Sequence, residues 1–411
     1  MTVRFDRLSA AFKSKISEIS CQFSEELAYS PNMISWGFAH MFAHWESSKN
    51  EWATFWTREI PDSPPDDVEI LLDADLPDDM RRQCLSKIVP LSPQNPFRVL
   101  LVPASTVPSA AFQDIGLTLL LPVELSVRAP SAHIPLYHAW KRCLDEFMPI
   151  LSKRLTIEEA SHDDDDTRNL CKKSDILILS GSDETIAHYR RLCHELPESC
   201  RPTRVEHGHR ISALALFRRD FPQMTQDAFD AIALDASVWD QSGCLSPKFI
   251  FAEISFEQAS LLAHQIADSL DLVAHALKAL EPQAHEKAQK NNALLMAQLD
   301  GATLVRAHVN GDAILIYPPH TPIRPIAAPR TLQIYCVENA IEAALQLAPR
   351  GQAFASLHEI STDTQQHLAC GGFNYFCTLG NMQDPPLTWF HDGIGTLAPI
   401  VKAMKTRLSA S

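Results

Sequence analysis

The sequence predicts an α/β fold in which a domain built on a parallel sheet is joined to a second α/β domain carrying a cysteine loop. Two observations predict it. Short apolar runs alternate with helical patterns between residues 97 and 217, the pattern of parallel strands joined by crossover helices. Beyond them, the polar segment Trp239–Pro247 separates a helical pattern from a new apolar run. A chain of 411 residues also exceeds what one small core supports.

Taken in order, the first ninety residues read as helical with polar loops. Thr2–Glu26 places apolar residues at helical spacing, Pro61–Asp67 is a breaker, and Val68–Leu72 reads as a short strand. Arg98–Val102 reads as a buried strand ended by Pro103, and Pro108–Leu121 as a helix opened by its proline. Leu125–Val127 reads as a strand and His138–Leu151 as an amphipathic helix. The aspartate run Asp163–Asp166 lacks the spaced ligands of a calcium loop and reads as a solvated loop. Asp175–Leu179 is a strong buried strand that runs through Ser180–Thr185 into a helix reaching Leu192. Arg204–Val205 and Ile211–Phe217 read as strands on either side of Glu206-His207-Gly208-His209, and close the first sheet.

Ala228–Val238 then reads as a helix, Phe249–Glu253 as a strand and Phe256–Leu280 as a long amphipathic helix. Asn310-Gly311 centres a hairpin within Ala302–Pro318. Thr331–Val337 reads as a strand, Ala340–Leu347 as a helix, and Leu397–Leu408 as a helix that packs back on the first domain. The expected division is residues 1–217, with about 385–411 returning to them, and residues 218–384.

Composition narrows the function classes. The formal charge of −14 and a pI of about 5.6 argue against nucleic-acid partners, which need a positive field. The N-terminus has no apolar core of a signal peptide. The apolar stretch Leu117–Val123 stops at Glu124, far short of a membrane span. Ten cysteines without a CxxC read as reduced thiols, with no disulfide framework and no metal site. A cytoplasmic location is therefore expected.

Four places are candidates for chemistry. A strand ending in Ser180-Gly181-Ser182 and opening a helix at Thr185 suits a nucleotide phosphate, or is an ordinary capped helix. Cys244 follows Gly243 in a polar loop. It reads either as a nucleophile, needing a positive field to become thiolate, or as an incidental thiol. In Glu206-His207-Gly208-His209 the glutamate reads as a base and a histidine as a proton shuttle, or the segment is a strand end with a glycine turn at Gly208. Arg128, before Ala129-Pro130-Ser131, reads as a phosphate ligand or a lone surface arginine.

These places fall in a familiar order. Asp240-Gln241-Ser242-Gly243-Cys244-Leu245-Ser246-Pro247 resembles the DQxGCLSP segment that carries the acylated cysteine of the LuxC-type acyl-CoA reductases. Gly181-Ser182-Asp183-Glu184-Thr185 is similar to that family's GSDxT cofactor loop, and Gly208-His209-Arg210-Ile211-Ser212 to its GHRxS strand entry. Val127-Arg128-Ala129-Pro130-Ser131 resembles the V-x-K-P-S element of the wider superfamily, and Gly380–Gly393 the family's G-x-M-Q-x-P-P…HDG segment. The likeness spans roughly residues 95–411. Two departures stand out: Ser105-Thr106-Val107-Pro108 replaces Gly-Asn-Val-Pro, and Arg128 replaces a lysine.

The resemblance implies an aldehyde-dehydrogenase-like fold and reduction of an acyl thioester to an aldehyde with NADPH. It implies Cys244 as nucleophile, with Thr106 in place of the family's oxyanion-binding Asn. It implies Arg128, Ser180, Gly181, Ser182, Thr185 and Gly208 around the cofactor, and it sets Glu206 in register with the superfamily's water-activating glutamate. The substrate would be an acyl-CoA or an acyl-carrier protein thioester, of the kind met in fatty acid metabolism. An acyl-activating or acyl-transferring enzyme is the implied partner, and a homo-oligomer the implied assembly. A cysteine-dependent acyltransferase and a scaffold that kept the fold without the chemistry are the alternatives.

Overall fold

The computed structural model describes residues 15–22, 29–46, 49–62, 77–86, 95–159, 163–326 and 328–409. Residues 15–22 are helical. The rest of Thr2–Glu26, most of the breaker Pro61–Asp67 and the expected strand Val68–Leu72 lie outside the described residues. The chain divides into two compact units: residues 1–27, 34–209 and 386–411, and residues 28–33 and 210–385.

The first unit is built on an all-parallel sheet. Its strands are β1 (Phe97–Val102), β2 (Val123–Ala129), β3 (Leu155–Glu159), β4 (Ile176–Ser180) and β5 (Thr203–His207), in the order β3-β2-β1-β4-β5. Apart from the exposed Arg98, β1 is apolar and buried, as a strand inside a parallel sheet should be. An aromatic cluster of Phe38, Phe42, Trp45, Phe112, Tyr137 and Trp140 packs within this unit. The helix Pro108–Thr118 makes room for it at Gly116, where a Cβ would lie 2.6 Å from the Trp45 ring. The returning C-terminal segment is fastened by the buried Glu59 carboxylate, which accepts the backbone N–H groups of Thr396 (2.7 Å), Leu397 (3.0 Å) and Ala398 (2.7 Å). It thereby caps the helix Ala398–Ser409.

The second unit carries β6 (Ile211–Leu216), β7 (Pro247–Ala252), β8 (Thr303–Arg306), β9 (Ala313–Tyr317), β10 (Thr331–Cys336), β11 (Gly351–Ser356) and β12 (Tyr375–Thr378). Their order is β12-β11-β6-β7-β10-β9-β8, parallel throughout except for the antiparallel pair β8–β9. Among the described residues, no helix is long and apolar enough to cross a membrane.

The structure corrects the sequence reading in several places. Ile211–Leu216 belongs to the second sheet, not the first. Only residues 208–210 separate it from β5, far fewer than a crossover to a parallel neighbour requires. The aspartate run is not a loop. Asp163 caps the helix Asp164–Lys173 by accepting from Asp165 N, and the next three aspartates fill its first turn, where negative charge meets the positive end of the helix. β8 and β9 do form the expected hairpin, but residues 307–312 connect them in place of a two-residue turn. Asn310 instead accepts from the backbone of Ala279.

Candidate active site

Cys244 lies at the N-terminal edge of the second sheet, and the chain reaches it by an unusual route. The helix Gln226–Ser237 ends, and the backbone then takes left-handed conformations at Trp239 (φ 54°), Asp240 (φ 49°) and Gln241 (φ 61°). None of the three is glycine. Left-handed residues of this kind cost roughly 1–2 kcal/mol each, so the run costs roughly 3–6 kcal/mol. A tight turn follows, closed by Ser246 N donating to Gly243 O (3.1 Å), and the chain enters β7 at Pro247.

Each strained residue is held by distant partners. Trp239 packs edge-on against Tyr29, with ring centroids 5.2 Å apart, and its N–H reaches Met33 Sδ at 3.1 Å. Tyr29 also hydrogen-bonds Ser242. Asp240 pairs with Arg330, whose guanidinium also meets Asp312 at 2.6 and 2.8 Å. Arg330 is itself left-handed, with φ 51°. Burial pushes the Asp240 carboxyl up, against the pull of Arg330. The Gln241 amide ties the starts of β7 and β10 together. Its Nε2 donates to Pro247 O (2.8 Å) and Thr331 O (3.0 Å), and its Oε1 accepts from Thr331 N (2.7 Å). Lys248, its ammonium lowered to about 8 by burial, donates to Gln241 O.

The turn itself is anchored too. Ser212 Oγ, at the start of β6, donates to Cys244 O (2.6 Å) and accepts from Ala353 N (3.0 Å). Cys244 is half-buried and outside any disulfide. Thus Asp240 and Gln241 of the motif hold the loop instead of reacting. Ser212, the last residue of the Gly208–Ser212 motif, shares that task, and so do Tyr29, Met33 and Arg330, which carry no local signal in the sequence.

The other expected site residues fall in the first unit. β4 ends at Ser180, and Ser182 caps the helix Asp183–Glu195 by accepting from Thr185 N (3.2 Å). Gly181 N donates to His207 O (3.1 Å), and a Cβ at Gly181 would sit 3.2 Å from Thr185. Asp183 Oδ1 accepts from His209 N (3.3 Å), with Gly208 packed beside it. The structure therefore brings Ser180, Gly181, Ser182, Thr185 and Gly208 together at the C-terminal edge of β4 and β5. Parallel α/β sheets bind ligands at that edge.

Arg128 is not a surface arginine. It is buried in β2 and donates to Thr167 Oγ1, near Tyr189, whose phenol burial pushes up to about 12 against the pull of that cation. Thr106 is exposed in the bend after β1. Glu206 does not stand ready as a base. Arg190 (2.8 Å) and Arg204 (2.9 Å) both donate to it and hold its carboxyl below the usual range, although burial pushes the other way.

The neighbouring His207 pairs with Asp392 (3.0 Å), and its ring stacks on His391 at 4.5 Å and 7°. These three residues bring ligand atoms within 4.8 Å of one another. Parallel imidazoles direct their lone pairs into separate planes, so they do not converge on one ion as a zinc site would require.

The acyl-CoA reductase (LuxC) family profile matches residues 151–403. No curated protein matches the chain in sequence. Among solved structures, the chain is similar to an NAD-dependent aldehyde dehydrogenase from Sinorhizobium meliloti, at 9% identity and a TM-score of 0.65 over 98% of this chain and 81% of that one. It is similar to an oxidoreductase from Marinobacter aquaeolei at 11% identity and a TM-score of 0.65, covering 98% and 84%. A third is succinic semialdehyde dehydrogenase from Streptococcus pyogenes, solved with NADP+, at 12% identity and a TM-score of 0.58, covering 97% and 92%. The fold is that of the aldehyde dehydrogenases.

Proposed function

The chain belongs to the LuxC acyl-CoA reductase family and is an oxidoreductase, and we propose that it reduces an acyl thioester to an aldehyde with NADPH through an acyl-enzyme on Cys244. The observation that supports this reading most is the build of the cysteine turn. Three strained residues lead into it and side chains remote in sequence hold it, as expected where backbone strain serves a function.

In this reading the Cys244 thiolate attacks the carbonyl carbon of an acyl-CoA or a carrier-bound acyl group. The carbon–sulfur bond to the carrier breaks, and the carrier leaves as a thiol after taking a proton. Cys244 then holds the acyl group as a thioester. NADPH, when bound, supplies the hydride that converts this thioester to a thiohemiacetal. Cleavage of the bond between that carbon and sulfur frees the aldehyde and restores the thiolate. By the resemblance, Thr106 is the candidate donor to the oxyanion in place of the family's Asn.

Ser180, Gly181, Ser182, Thr185 and Gly208 would hold the dinucleotide. The residues present fit such a group: the loop sits at a parallel-sheet edge, and its glycine allows close backbone approach. Arg128 would read the 2′-phosphate. Glu206, engaged by two arginines, takes no part, so the acyl-enzyme is reduced instead of hydrolysed.

The test is Cys244→Ser. Wild-type protein incubated with acyl-CoA alone should show an acyl adduct on the peptide holding Cys244 by mass spectrometry. With NADPH added, it should consume the cofactor and release aldehyde. The variant should lose both and keep its fold and NADPH affinity. An adduct confined to another cysteine would refute the assignment.

A further inference from the structure

The second unit contains a hydrogen-bonded chain that ends on the Cys244 turn and that the reaction above does not use. After β12, the segment Gly380–Gln383 lies against the helix Gln226–Ser237. Asp235 of that helix is wholly buried. Its Oδ2 accepts from Gly380 N (2.7 Å) and its Oδ1 from Met382 N (3.0 Å). Gly380 is left-handed (φ 84°), and a Cβ there would lie 3.1 Å from Ala231 Cβ, so the segment is pressed onto the helix. On its other side, Tyr375 Oη donates to Asn381 O (2.6 Å).

Held in this way, Gln383 directs its amide at two acceptors. Nε2 donates to Asp235 O (3.0 Å) and to Ser246 Oγ (3.2 Å). Ser246 is buried, and its N–H closes the turn that contains Cys244. The link runs unbroken from a buried carboxylate, through two backbone N–H groups and one side-chain amide, to the turn of the nucleophile. A carboxylate kept from water is costly unless its hydrogen bonds are needed, and here they serve to register one glutamine.

We propose that Gln383, registered by Asp235, is a positioning residue that fixes the Cys244 turn for acyl transfer. This rests on Cys244 being the acylated nucleophile. Gln383 acts through its bond to Ser246 Oγ. Nucleophiles tolerate little displacement, since an error of about 1 Å can slow a reaction about a hundredfold.

The experiment uses the full-length protein and Gln383→Met, which keeps side-chain volume but removes the donor, together with Ser246→Ala and the double variant. Thiol release from an acyl-CoA panel without NADPH reads acylation of Cys244, and iodoacetamide reads the same thiol without any acyl group. Gln383→Met should slow acylation at saturating acyl-CoA about 10- to 100-fold, with KM and NADPH affinity moved less than threefold. Ser246→Ala should do likewise, and the double variant should be no slower than the worse single one. Acylation by Gln383→Met within twofold of wild type, or losses that simply multiply in the double variant, would overturn the proposal. If wild-type Cys244 takes no acyl group, the nucleophile reading fails. Iodoacetamide then decides separately: a fivefold or larger change in Gln383→Met supports the hold on the turn, and a smaller one overturns it.

Discussion

The junction after β4 and the turn before β7 both carry candidate chemistry, and they are held by contacts of different reach. At Ser180–Thr185 the partners lie within the loop or on the adjoining strand end 26 residues on: Ser182 caps Thr185, Gly181 bonds His207, and Asp183 bonds His209. At Trp239–Ser246 they are Tyr29, Met33, Ser212, Arg330 and Gln383. A strand–helix junction is stabilised largely by its own capping. The cysteine turn exists only when the rest of its unit is folded. It should therefore respond to substitutions far away in the chain, while the first loop responds mainly to its own residues.

The largest effect expected from breaking this contrast is at Arg330. Arg330→Met leaves the half-buried Asp240 and the buried Asp312 without the guanidinium they share, with Lys290 as a nearby cation. Breaking a buried pair costs about 3–5 kcal/mol, which urea unfolding would register, and Cys244 acylation should fall with it. A stability loss below about 1 kcal/mol would show that this pairing does not hold the loop.

A pH titration sharpens the same contrast. Burial raises the Asp235 carboxyl to about 7, from about 4 in an unfolded chain. For an acid raised on folding, the stabilising contribution is fully present below the unfolded value and is lost as pH rises through the folded one. Between pH 4 and pH 7.5, wild type should therefore lose up to roughly 4 kcal/mol relative to Asp235→Asn. Asp114 of the first unit, raised by burial to about 6, should give a smaller swing over a narrower window. Parallel stability profiles for wild type and Asp235→Asn would contradict this.

Effects confined to the first loop should be smaller. Gly181→Val forces a side chain onto Thr185 and should weaken NADPH at least tenfold, about 1.4 kcal/mol, with Cys244 acylation unchanged. Arg128→Ala should weaken NADPH more than NADH. Equal losses in a fluorescence titration would show that Arg128 does not read the 2′-phosphate. Least of all, Glu206→Gln should leave acyl-CoA reduction within about tenfold. A several-hundredfold loss with fold and cofactor affinity intact would instead make Glu206 a base.

The same difference in reach explains what the sequence disclosed. The strands β1, β4, β7 and β10 announce themselves as apolar runs, and Ser182 announces its cap. β11, Gly-Gln-Ala-Phe-Ala-Ser, is wholly buried but too small and polar to look like a strand, and β3 is short and half polar. β6 is apolar but for Ser212 and buried throughout, so its pattern cannot say which sheet takes it. Cys244 stands out by its glycine and its polar surroundings. Tyr29 and Arg330 do not stand out, and Ser212 and Gln383 lie in recognisable motifs without showing their role, because the four become neighbours only through tertiary structure. Arg128 is open to a phosphate-ligand or a surface reading in the sequence, and nothing local shows that it is buried against Thr167 of the helix Asp164–Lys173.

The contacts of Tyr29 and Gln383 with the cysteine turn also bear on how the protein is made. At about 5–20 residues per second, a ribosome needs roughly 20–70 s to pass from one of these codons to the other. Throughout that interval the cysteine has been translated or is about to be, but its turn lacks a partner on one side. The Cys244 turn is thus among the late structures to form on the nascent chain, so a truncated product ending before Gln383 would carry the thiol without its complete setting.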